Sequence, residues 1–168
     1  MSYSNHFKLA DDMITHLNSS ITHVSDPFIL SRYVGFVSIA AVTVYELAVK
    51  EIFIDFAQKK NKVFGTFTSA HFDRINGRIK NQDIKNEYIK KFGEKYLNRY
   101  KKKLDKEENA YLRTSGSSIK NSYANIITWR NQFAHEGKIS STVTYQEVVK
   151  SYETGKRLID CLAETMNR

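Results

Sequence analysis

A chain of 168 residues with a formal net charge of +8 is long enough to bury a core without cross-links, and it reads as one domain over residues 1–168. The single cysteine, Cys161, excludes an internal disulfide framework and any cysteine-based zinc site. The opening MSYSNHFKLADDM lacks the apolar run of a signal peptide. The uncharged stretch from Tyr33 to Tyr45 falls short of the ~20 residues of a membrane span, so a soluble, cytoplasmic protein with no membrane partner is expected.

The first predicted element places Phe7, Ala10, Ile14, Leu17, Ile21 and Val24 at spacings of three and four, the apolar face of a helix. It stops at SDP, where Asp26 can cap and Pro27 can open the next helix. From Pro27 to Lys60 the chain is apolar nearly all round, which predicts the central, most buried helix. KKNKVFGTFTS reads as a loop. Ser69 to Leu104 reads as one or two polar helices, broken near Gly77 or Asn81, and KEENAYLRTSGSS as the longest irregular stretch. A helix from Ser118 to His135 follows, with Gly137 placed to end it in the left-handed conformation. The last helix opens on a capping box of Thr144 and Glu147 and buries Val148, Tyr152, Ile159 and Leu162. The expected fold is an all-α helical bundle of five to six helices.

Charge is concentrated in KKFGEKYLNRYKKK, Lys90 to Lys103, with seven Lys/Arg, one Glu and the aromatics Phe92, Tyr96 and Tyr100. Its plainer reading is a solvated helix face whose aromatics turn into the core. The functional alternative is RNA contact through Arg99, Lys101, Lys102 and Lys103. His6, His16, His23 and His71 are scattered, and no carboxylates or histidines cluster at ligand spacing, so neither metal nor cofactor is expected.

TWRNQFAHEG, Thr128 to Gly137, is the stretch with chemistry in it. Projected at 100° per residue, Arg130 falls within an apolar stripe of Ile119, Tyr123, Ile126, Phe133 and Ala134. A guanidinium keeps its charge and is costly to bury alone, so this position implies an ion pair or an arriving anion. Glu46, on the Ile39, Val42, Val49 and Phe53 face of the central helix, is the expected partner. His135 lies about 140° from Arg130 on an ideal helix, whereas Asn131 shares its face. Arg130 and His135 can therefore meet in two ways: the helix unwinds at AHEG, or a second protomer brings its own motif opposite.

RNQFAH resembles the Arg-x4–6-His signature of HEPN domains, in the form where Asn follows the Arg. The helix order is similar to the stand-alone bacterial HEPN-like nucleases, including the RiboL-PSP-type group. The middle region from Ser69 to Gly116 is an extended basic addition to the minimal pattern. The resemblance implies a homodimeric, metal-independent endoribonuclease with Arg130, His135 and Asn131 as catalytic residues and Glu46 in support. It also implies an RNA substrate and a role as the toxin of a toxin–antitoxin or phage-defence system, with a nucleotidyltransferase-like antitoxin as the possible cognate partner. The alternative within the same fold is a non-catalytic helical module that binds nucleotide, RNA or protein.

Overall fold

The computed structural model describes residues 2–167, whose regular structure is all helical, with no strand among them. Among the described residues there are seven α-helices rather than five to six: α1 Phe7–Ile21, α2 Pro27–Lys60, α3 Lys62–Phe72, α4 Asn81–Asp83, α5 Glu94–Ser115, α6 Ile119–Glu136 and α7 Tyr145–Met166. The short α4 runs on into a π turn, Ile84–Tyr88, and a 3-10 turn, Ile89–Phe92.

Local chemistry sets the helix ends. The Asp26 side chain accepts a hydrogen bond from Phe28 N at 2.8 Å, with Pro27 in the first turn of α2. That cap satisfies one of the orphan N–H groups of a helix start. Ser118 accepts from Asn121 N at 3.0 Å, and Thr144 from Glu147 N at 3.1 Å. Helix α1 ends at Ile21, so Val24 lies beyond it.

Two expected irregular stretches are helical. KKNKVFGTFTS holds most of α3, because Asn61 interrupts the chain for one residue and then caps, its side chain accepting from Val63 N and Phe64 N. Gly65 lets α3 fold back tightly on α2: a Cβ there would lie 2.9 Å from the Gln58 Cα. KEENAYLRTSGSS belongs largely to α5, which continues to Ser115 and stops at Gly116 with φ 66°.

Helix α2 is the hub, with α1, α3, α6 and α7 packed on it. By length and composition it is apolar enough to cross a membrane, a correction to the shorter uncharged run expected. The four helices packed on it account for the apolarity of its buried faces. Tyr45 of α2 stacks on Tyr123 of α6 and Tyr152 of α7 at ring separations of 5.1 and 5.7 Å, and donates to the Tyr152 carbonyl. This buried stack fixes the depth at which α6 sits against α2.

Candidate functional site

Helix α6 is set at its start by Glu108 of α5. The buried Glu108 carboxylate accepts from the Ser118 hydroxyl at 2.6 Å and from Lys120 N at 3.1 Å. An acidic group at a helix N-terminus is favourable both as acceptor and as charge. The buried face then runs through Ile119, Tyr123, Ile126, Ile127 and Trp129. At the last turn this face runs out: Arg130, Asn131 and Phe133 are half-buried, and Ala134 and His135 are exposed.

The helix does not unwind at AHEG. It continues to Glu136, and Gly137, with φ 66°, donates its N–H to the Phe133 carbonyl at 2.9 Å. Of the two expected geometries the first is thereby removed, and within a protomer Arg130 and His135 point to different faces of α6. The side chains of Arg130, His135 and Asn131 make no hydrogen bond or ion pair to another described residue.

The expected Glu46–Arg130 ion pair is absent among the described residues. One Glu46 oxygen faces Lys50 Nζ at 2.8 Å, one turn away on α2, and the other accepts from the backbone N–H of Gly77 at 2.6 Å. These nearer donors outcompete a guanidinium on another helix. Arg130 is nevertheless tied to the same point. A Cβ on Gly77 would lie 2.8 Å from Arg130 Nη2, and Gly77 has φ 70°. Glu46 therefore holds the loop whose backbone forms one wall of the Arg130 guanidinium.

That loop, residues 73–80, is pinned from three sides. Besides Glu46 on Gly77, the Tyr88 hydroxyl donates to the Arg78 carbonyl and the Tyr123 hydroxyl to the Ile79 carbonyl, each at 2.7 Å. Tyr123 lies on α6 itself, so the helix that carries the motif also anchors the loop. Burial raises the Tyr123 hydroxyl well above its usual pKa, which keeps it a neutral donor.

Sequence reasoning missed Arg32. It donates from Nη1 to the Gly137 carbonyl, and its guanidinium lies 4.6 Å from the Phe28 ring centre and 5.8 Å from that of Phe133. A cation on the carbonyl end of a helix is worth roughly 0.3–1 kcal/mol. Gly35, one residue before Phe36, gives Phe133 the space to lie directly against α2, and Phe36 meets the Phe133 ring edge-on at 5.9 Å. The signal was present, a lone cation in the first turns of an apolar helix.

In the basic run the aromatics face inward. Tyr100 is fully buried and donates to Asn81 Oδ1 at 3.0 Å; Phe92 stacks on Phe53, and Tyr96 meets Phe56 edge-on. Base stacking on Tyr100 is excluded, while Phe92 and Tyr96 are half-buried. Lys101 and Lys102 are exposed, Lys103 pairs with Glu164, and Arg99 is half-buried with Nη1 lacking a hydrogen-bond partner. Among the described residues no three His, Cys, Asp or Glu side chains converge as a metal-ligand set.

The RiboL-PSP-HEPN family model matches residues 3–168. Comparison with curated proteins and with solved structures finds no match. An all-helical chain matched over nearly its whole length belongs to the RiboL-PSP-HEPN family.

Proposed function

We propose that this HEPN protein is a metal-independent endoribonuclease acting as a homodimer in the cytoplasm, the toxin of a toxin–antitoxin or phage-defence pair. The observation that carries the reading is the state of the motif. Arg130, half-buried beside a pinned loop, and Asn131 and His135 at the same helix end have no partner among the described residues. Polar groups placed this way are available to a substrate.

Cleavage through the RNA's own 2′-hydroxyl suits this set. The 2′-oxygen attacks the adjacent phosphorus, the bond to the 5′-oxygen breaks, and a 2′,3′-cyclic phosphate remains. The His135 imidazole takes the 2′-hydroxyl proton, and an imidazole carrying a proton, the same ring or that of the second protomer, supplies one to the departing 5′-oxygen, worth ~10²–10⁴-fold. Arg130 offsets the charge that grows on the phosphoryl oxygens, a contribution of roughly 3–4 kcal/mol. Asn131 orients the ring or a phosphate oxygen.

Two copies of the motif helix are required, since one copy turns Arg130 and His135 apart. The outer face of α2 supports such pairing. Phe28, Ile29, Phe36, Ile39 and Leu47 are all exposed, Phe28 at 62 % and Phe36 at 46 %, and at 100° per residue they fall within an arc of about 100°. An apolar stripe of this length marks an interaction surface, and Phe36 ties it to the motif helix through Phe133. Arg99, Lys101 and Lys102 extend the cationic surface for RNA.

The test is direct. With EDTA present, the wild-type protein is expected to cut RNA to cyclic-phosphate ends, and Arg130→Ala and His135→Ala to lose at least about 100-fold. Cleavage unchanged in both variants would falsify the assignment. No cleavage by any preparation would favour the non-catalytic binding module.

A further inference from the structure

Two cavities adjoin on the side of the pinned loop. One, of about 490 Å³, is bordered by Gly77, Arg78, Lys80, Asp83 and Glu87. The other, of about 300 Å³, is lined by Phe64, Phe67 and Phe92. They share His71, Glu87, Tyr88 and Lys91. Together they form a continuous groove, aromatic at one end and charged at the other, and the charged end stops at the residue against which Arg130 lies.

Two features of this groove have no account in the fold. Phe67 is 70 % exposed, with Val63 one turn before it at 78 %, although the neighbouring rings Phe72 and Phe92 pack inward. Arg78, Lys80 and Lys91 are exposed and make no ion pair among the described residues, although Asp83 and Glu87 lie in the same lining. The loop that carries Arg78 and Lys80 is held by Glu46, Tyr88 and Tyr123, and Lys91 stands on the 3-10 turn Ile89–Phe92. The backbone under Arg78 and Lys80 is thus fixed, while the three cations stay outside any ion pair among the described residues.

We propose that this groove binds single-stranded RNA: a base stacks on Phe67, the backbone crosses Lys91, Lys80 and Arg78, and the strand leads to the phosphate at Arg130. Exposed aromatics beside tracking cations are the general solution for unpaired strands, because every base has a stacking face. The two carboxylates fit a nucleotide better than bare phosphate, since they accept from exocyclic amino groups. This inference rests on RNA being the substrate.

A fluorescein-labelled 2′-O-methyl RNA, roughly 12 nucleotides long and within usual single-strand site sizes, tests it by anisotropy. Its blocked 2′-oxygen prevents cleavage, so binding is read without catalysis. Phe67→Ala is expected to weaken binding about tenfold. The triple variant Arg78→Ala, Lys80→Ala, Lys91→Ala is expected to lower the slope of log K against log salt by about 2, at ~0.7 per cation for a single strand. A charge-matched triple elsewhere, Lys8→Ala, Arg113→Ala, Lys150→Ala, is expected to leave both nearly unchanged. Equal losses in the two triples would overturn the groove in favour of diffuse attraction. Unchanged binding in Phe67→Ala would overturn it in favour of protein docking on the α3 face. If unmodified RNA of the same sequence is not cut while these binding differences hold, the nuclease reading falls and the groove stands.

Discussion

Gly77→Ala separates the position of Arg130 from the stability of the fold. The backbone there has φ 70°, where an added Cβ costs roughly 1–2 kcal/mol. The new methyl would also lie 2.8 Å from Arg130 Nη2, whereas ordinary contact begins near 3.4 Å, so the guanidinium must withdraw by about 0.6 Å. That group is the free end of a flexible side chain, so its retreat costs the fold little. Its effect on a reaction is larger, since a misplacement of about 1 Å can cost 10²-fold in rate. Gly116 supplies the matched control: φ 66° and nothing within 4 Å of its would-be Cβ. Urea denaturation should show both alanine variants destabilised by a similar 1–2 kcal/mol. Single-turnover RNA cleavage should show Gly77→Ala slowed by about 10–100-fold and Gly116→Ala scarcely slowed. Equal rates in the two variants would refute the claim that the Gly77 wall positions Arg130.

The dimer reading predicts that Phe36→Glu, a charge placed in the apolar stripe of α2, raises the dimer dissociation constant at least about tenfold and abolishes cleavage together with it. Sedimentation velocity across a concentration series checks the first effect. The pH dependence has a definite sign. Burial pushes the Cys161 thiol up to about 12 and raises the buried Tyr45, Tyr100 and Tyr123 well above their usual values. The unfolded chain then releases these protons before the folded one does. Stability is present in full below pH 9 and declines as the pH rises from there toward 12; a flat denaturation midpoint from pH 8 to 11 would contradict it.

The sequence reads well where a local rule acts alone. Asp26, Ser118, Thr144 and Gly137 mark helix ends because capping depends on residues within one turn. The apolar face of α7 follows from periodicity, and that of α6 does so through Ile126, beyond which Ala134 of the expected stripe is exposed while Ile127 and Trp129 are buried. The reading failed at α3, where Gly65 and nearby β-branched residues weaken helix propensity locally but close packing against Gln58 of α2 offsets the loss. It failed again at the end of α5, where Thr114 and Ser115 turn their hydroxyls back to the Ala110 and Tyr111 carbonyls and remain helical.

Much the same division holds at the candidate site. Arg130, Asn131 and His135 are nominated by residue type and spacing. What Arg130 touches is not, because Gly77 reaches it from a loop more than fifty positions earlier in the chain. Glu46 stands out in the sequence as a carboxylate on an apolar stripe, but its partners are a backbone N–H and a lysine on its own helix. The role of Arg32 is not legible in the sequence, since it depends on where the far end of α6 comes to rest.

The only tryptophan, Trp129, is buried on α6 directly before Arg130. The chain thus carries its own optical probe: ten tyrosines can be left dark by excitation at long ultraviolet wavelength, and the remaining emission comes from one indole. Strand binding, pairing of protomers and loosening of the helix end can each be followed as a spectral change at a single known place, without attaching a dye.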